Sequence, residues 1–135
     1  MSHHCTNVLI RCMDFHLQKA IDQWMIENNL PGDCDMISVA GAGKDIMDNP
    51  DGFVATQIGI SKKLHDIKTV FLMHHTGCGA CIGHNTFENI EVERAHHVSE
   101  MIKTAEVIKA KHPDMEVKMI LAEIFENGEV EIKDV

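Results

Sequence analysis

Arginine is nearly missing from this sequence: it occurs only as Arg11 and Arg94, in a chain with a formal net charge of −9. No basic cluster exists, so nucleic acid and anionic membrane surfaces are not expected partners. The acidity itself reads as solubility. No apolar run approaches the roughly 18–20 residues of a membrane span. Met1 to Cys5 is polar and lacks the apolar core of a secretory signal. Repeats, linkers and low-complexity tracts are absent too, so one domain over residues 1–135 is expected. With no export signal, the expected location is the reducing cytoplasm. There the five cysteines, Cys5, Cys12, Cys34, Cys78 and Cys81, read as metal ligands or reactive thiols before they read as disulfides. A chain of 135 residues buries roughly two-thirds of its unfolded surface and needs no structural metal, so any metal is expected to be functional. His3 and His4 are assigned no role.

What is present is an alternation of strand-like and helix-like segments. Asn7 to Cys12 contains the apolar run Val8-Leu9-Ile10. Asp14 to Asn29 has helical spacing, with Leu17, Ala20, Ile21, Trp24 and Met25 on one stripe, and Pro31-Gly32 ends it. Cys34 to Val39 reads as a second strand. It runs into Ala40-Gly41-Ala42-Gly43, a turn where backbone must pass close to something. After a turn at Asp48 to Gly52, Phe53 to His65 is a helix. Thr69 to Met73 is a fully apolar strand of the kind buried on both faces. His74 to Gly83 reads as a polar, glycine-rich loop. Glu88 to Lys111 is a long helix with Ile90, Ala95, Val98, Ile102, Ala105 and Ile108 on its inner side. Val117 to Ala122 is a strand, and Asn127-Gly128 turns Val130 to Ile132 back antiparallel. The expected fold is α/β: a mainly parallel four-stranded sheet covered by helices on both faces, plus a C-terminal antiparallel strand. Ligands in such sheets sit beyond the carboxyl ends of strands, at the switch point of the strand order. Cys12 and the His74 to Cys81 segment both follow strands, and they meet there if those strands are neighbours.

Zinc takes thiolate and imidazole ligands in a tetrahedral shell, with Zn–S near roughly 2.3 Å and Zn–N near roughly 2.0 Å. His75-Thr76-Gly77-Cys78 places two such groups three residues apart, and Gly77 and Gly79 let backbone wrap an ion. Cys12 would be the third. Three protein ligands leave one position open, the pattern of a catalytic site. An HxxC pair alone is a weak signal; its pairing with Cys12-Met13-Asp14 is what gives it weight.

Val8-Leu9-Ile10-Arg11-Cys12-Met13-Asp14, Ala40-Gly41 and His74-His75-Thr76-Gly77-Cys78-Gly79 together resemble the β-class carbonic anhydrases, over most of the chain from Asn7 through the Val117 strand. The resemblance implies one Zn2+ per chain on Cys12, His75 and Cys78. It implies a homodimer or higher homo-oligomer with sites near the subunit interface. The implied reaction is reversible hydration of carbon dioxide, a small-molecule substrate, to bicarbonate by a zinc-bound hydroxide. One departure matters. The family pattern Cys-x-Asp-x-Arg reads here Cys12-Met13-Asp14-Phe15-His16. In the family the arginine holds the aspartate off the metal with a permanently charged bidentate fork, whereas imidazole has fewer donors. Asp14 and His16 are therefore the candidate catalytic pair, and weak activity is expected if His16 holds Asp14 poorly. Arg94 is the only other arginine, and no substitute for the missing one is evident.

Each residue also has a plainer reading. Asp14 opens the first helix and can be its N-cap. His74 reads as structural; His84, His96 and His97 read as polar-face or loop residues. Lys44 alone does not make Ala40 to Gly43 a phosphate loop. Cys78-Gly79-Ala80-Cys81 is also a CxxC, which supports a thiol-redox alternative, although its glycine-rich context is a poor helix start. A non-catalytic zinc-binding relative, or a hydrolase of another small linear molecule such as carbonyl sulfide, remains open on sequence alone.

Overall fold

A computed structural model of the chain describes residues 2–81 and 87–135. Its sheet has the order β2-β1-β3-β4-β5. β1 (Asn7–Arg11), β2 (Cys34–Ser38), β3 (Thr69–His75) and β4 (Glu116–Ile124) are parallel to one another. β5 (Val130–Asp134) returns antiparallel along β4, through the turn at Gly128, whose φ of +86° suits glycine. The helices are α1 (Gln18–Glu27), α2 (Gly43–Asp48), α3 (Phe53–His65) and α4 (Ile90–Lys111). No helix among the described residues is long and apolar enough to cross a membrane.

The apolar runs of β1 and β3 divide their side chains between two cores, because successive strand residues point to opposite faces. Val8, Ile10, Val70 and Leu72 meet Ile46 of α2, Ile58 of α3 and Met101 and Ile108 of α4. Leu9, Phe71, Met73 and Ile120 meet Leu17, Ile21 and Trp24 on the other face. Each fully buried Leu or Ile contributes about 1.5–3 kcal/mol of transfer free energy, which is why both faces must be covered. The expected architecture is the one observed. The strand order also meets the condition set by the sequence. β1 has β2 on one side and β3 on the other, so the chain reverses direction across the sheet between β1 and β3.

Four local expectations change. The first helix begins as a 3₁₀ turn, Phe15–Leu17, capped by the Asp14 side chain, which accepts from His16 N at 2.9 Å. The turn at Ala40 to Gly43 leads into α2, a helix of six residues and too short to carry a readable period. β3 runs two residues beyond Met73: His74 and His75 continue it, in register with Leu121 and Ala122 of β4, and are not loop. α4 is rotated from its expected face. His97, Met101, Thr104 and Ile108 are buried, while Ala95 and Ile102 are exposed. Close approach decides this: a Cβ on Gly43 would stand only 2.9 Å from Thr104 Cγ2, so α4 lies almost on the backbone of α2 there. His84, Ile82 and Gly83 lie outside the described residues.

Candidate metal centre

The end of β1 delivers Cys12, and the end of β3 delivers His75 and, one tight turn later, Cys78. The strands are neighbours, so the three side chains converge. Their ligand atoms all lie within 4.8 Å of one another, and all three residues are buried. Cys12 Sγ and Cys78 Sγ are 4.0 Å apart. His75 is 1% exposed; its Nδ1 lies 2.7 Å from Thr76 O, which fixes that nitrogen as the donor. Nε2 then carries the lone pair, and it has no hydrogen-bond partner among the described residues. A buried acceptor without a donor costs free energy unless something else satisfies it. Two sulfurs and an unpaired imidazole nitrogen in one pocket are the donor set of a zinc site, so this group could hold a metal.

The electrostatics agree. The hydrogen bond with Cys78, and burial after it, push the Cys12 thiol up to about 11. Cys78 is also raised: its contact with Cys12 acts to lower it, but Cys81 and burial outweigh that. Burial acts to lower His75, yet the neighbouring Cys12 sulfur and its charge leave the imidazole above its ordinary value. Protons held this way are the ones a divalent cation displaces on binding.

Asp14 and His16 come to the same place. Asp14 Oδ1 takes both His16 N, at 2.9 Å, and His16 Nδ1, at 2.7 Å. Oδ2 lies 3.9 Å from His75 Nε2. Burial acts to raise the Asp14 carboxyl, but the two His16 contacts and the His75 charge bring it below the ordinary value. His16 therefore grips Asp14 from two residues away, where a poor grip was the concern. Arg94 is not a substitute: its guanidinium sits on Glu123 at 2.6 and 3.2 Å. A cleft of about 740 Å³ opens beside the cluster, with Asp14, His16, Thr76, Arg94 and Glu123 among its walls.

Several supporting residues escaped the sequence reading. Arg11, 2% exposed, donates from Nε to Cys12 O at 2.8 Å, from Nη1 to Gln18 Oε1 at 2.9 Å and from Nη2 to Asp14 O at 3.3 Å. It staples the Cys12 to Asp14 backbone, and its position beside Cys12 in an arginine-poor chain was the available signal. Glu93 of α4 accepts from Gly77 N at 2.5 Å and also faces His97 Nε2 at 3.4 Å, bracing the turn before Cys78. Thr76 N donates to Ala122 O at 3.0 Å, and Thr76 Oγ1 accepts from Ile124 N at 2.9 Å, so the same turn is tied to β4.

The turn after β2 approaches the site as its glycines suggest. Gly41 N donates to Cys12 Sγ at 3.4 Å and Gly43 N to His74 Nε2 at 3.2 Å. Ala42 between them sits at a φ of +49°, a strained conformation for a residue with a Cβ, held by the bonds on either side. Lys44 pairs with Asp48. His74 lies on the opposite face of β3 from His75. Burial first, and the neighbouring His97, His75 and His96 next, lower it to about 3, so it stays neutral and structural. His97 is 1% exposed and belongs to the same buried group, which corrects its reading as a polar-face residue. Cys81 N closes a turn on Cys78 O at 3.2 Å, so the CxxC does not open a helix among the described residues.

Fold and cluster define a class: a parallel α/β sheet whose switch point gathers two cysteines and a histidine, as the resemblance to β-carbonic anhydrases implied. The chain belongs to the family described as "Putative carbonic anhydrase", which matches residues 2–135. Over 126 residues it is 29% identical to an uncharacterised protein of Rickettsia conorii, covering 88% of this chain and 68% of that one. A similar uncharacterised protein of Rickettsia bellii is 28% identical over 126 residues, covering 88% and 77%. The fold is similar to the crystal structure of β-carbonic anhydrase isoform I from Trichomonas vaginalis, with a TM-score of 0.55 at 14% identity, over 98% of this chain and 85% of that one.

Proposed function

We propose that this chain is a zinc lyase that interconverts carbon dioxide and bicarbonate. The observation that carries the reading is the unpartnered Nε2 of buried His75, set among the sulfurs of Cys12 and Cys78. Those three residues would hold one zinc ion. Zinc supplies there the Lewis acidity that makes water a nucleophile near neutral pH. Asp14 does the orienting. Its Oδ1 is occupied by His16, which leaves Oδ2, on the His75 side, to accept a hydrogen bond from the attacking water. A carboxyl held below its ordinary value is a weak base, so Asp14 positions a proton more than it stores one. His16 is the positioning residue and keeps Asp14 from turning onto the metal. Arg11 fixes the backbone that carries both Cys12 and Asp14. The substrate is a small molecule arriving through the adjoining cleft. The expected assembly is a homodimer or higher homo-oligomer, for which Met13 and Phe15, 64% and 79% exposed beside the site, supply apolar surface.

Stopped-flow hydration of carbon dioxide tests this. Protein holding one zinc per chain should exceed the buffer rate, and His16→Ala should lower kcat more than KM. Zinc-loaded protein with no rate above buffer across neutral pH would overturn the proposal.

A further inference from the structure

At the other end of the sheet, and on its other face, a second set of donors converges. Cys5 precedes β1, Asp35 lies in β2 and His65 closes α3. A cysteine sulfur, a carboxylate oxygen and a ring nitrogen from these residues lie within 4.8 Å of one another, all half-buried. The carbonic anhydrase reading uses none of them.

The arrangement is fixed by backbone before any side chain is considered. Cys5 N donates to His65 O at 3.0 Å, which ties the start of the chain to the end of α3. Thr6 N donates to Asp33 Oδ1 at 2.8 Å, and β1 then pairs with β2 so that Val8 stands opposite Asp35. The Asp35 carboxylate is oriented in turn. Ser61 Oγ donates to its Oδ2 at 2.5 Å, and His65 Nδ1 sits on the same oxygen at 2.6 Å. Both contacts use Oδ2. The Cys5 sulfur stands within hydrogen-bond reach of Asp35 and makes a long contact to Asn7 O, at 3.5 Å. A structural network of Ser61, Asp35 and His65 accounts for those three residues. The Cys5 thiol joins the same carboxylate, so sulfur, imidazole and carboxylate oxygen face one point.

We infer that Cys5, Asp35 and His65 form a second metal site, open to solvent, for a divalent cation of zinc type. Sulfur, imidazole and carboxylate are the three zinc ligand classes, and the mixed set suits a borderline-soft ion over calcium or magnesium. With bonds of roughly 2.0–2.3 Å, two donors on one zinc lie roughly 3.5 Å apart, so the His65–Asp35 hydrogen bond at 2.6 Å gives way to the ion while the three donors, all within 4.8 Å, need only a small shift. Water completes the shell from the exposed side. Ser61 holds Asp35 in the orientation the site uses.

The test uses the full chain, reduced and stripped of metal, with Co2+ and Zn2+ as probes. Wild-type protein should take up two equivalents, one for each cluster. A chain with Cys12→Ser and Cys78→Ser should retain one, with a thiolate–cobalt band that Cys5→Ser then removes. Peptide-resolved alkylation gives a second readout that needs no variant: Zn2+ should slow modification of Cys5 roughly tenfold, because coordination occupies the sulfur. Asp35→Asn should abolish that protection. Protection that survives Asp35→Asn would assign the metal to His3 or His4 with Cys5 and overturn the proposal. Uptake of a single equivalent, with Cys5 alkylated at the same rate with and without Zn2+, would overturn it as well.

Discussion

Two three-donor clusters occupy opposite ends of this sheet, and they differ in how they are enclosed. At the carboxyl ends of β1 and β3, Cys12, His75 and Cys78 are buried and braced from every side: by Arg11, by Glu93, by Thr76 and by the backbone of Gly41. At the amino end, Cys5, Asp35 and His65 are half-buried and braced by a single hydroxyl and a few main-chain bonds. Water can satisfy the polar atoms of the second set at little cost. The first set has no such recourse, so its geometry is specified by many contacts and depends on all of them.

The comparison can be broken first at its strongest point. Cys78→Ser should weaken zinc binding at the buried end by more than the roughly 10–100-fold typical of losing an outer partner of a ligand, and should abolish carbon dioxide hydration. Metal content by mass spectrometry and stopped-flow rates check both. Next, Gly43→Ala would place a Cβ 2.8 Å from His74 Nε2 and 2.9 Å from Leu72 Cδ1. This should cost about 1–3 kcal/mol in urea unfolding through overpacking alone.

Acid sharpens the contrast further. His74 is neutral when folded down to about 3 but takes a proton near its ordinary value when unfolded. Stability is therefore complete above about pH 6.5 and falls as pH drops toward the folded value, by about 1.4 kcal/mol per pH unit from this one group. In His74→Gln, whose amide oxygen can still accept from Gly43 N, denaturation curves taken between neutral and acid pH should lose this share of the slope and keep that of His97 and His112, which burial also lowers. The smallest effect belongs to the open end. Ser61→Ala removes one hydrogen bond to Asp35 and should cost about 0.5–1.5 kcal/mol by the same urea measurement.

The fold was largely legible because the strands announce themselves. Val8-Leu9-Ile10 and Val70-Phe71-Leu72-Met73 are unbroken apolar runs, and Asn127-Gly128 permits little else but a hairpin. The three donors of the buried cluster were legible for a related reason: each follows such a run directly or by one turn. The rest depended on contacts with no local pattern. His74 and His75 look like loop residues until β4 is beside them to pair. α4 carries apolar residues all round, and its inward face is set by the closeness of Gly43 and Thr104 and not by periodicity. Glu93 and Ser61 act through hydrogen bonds to residues far along the chain, and Arg11 through three bonds to the segment that follows it, none of which leaves a spacing to read. The second cluster joins residues 5, 35 and 65, and only the β1–β2 pairing and the end of α3 bring them together.

β3 seats two adjacent imidazoles on opposite sides of the sheet, one against a glycine backbone and one among sulfurs. An added residue within Thr69–His75 would put His74 in the place of His75, and a deleted one would put His75 in the place of His74; either way each ring turns to the opposite face. Single substitutions elsewhere in this strand change only what fills a core, but a frame error of one position changes both sites at once. Residue count is therefore the property this strand can least afford to vary.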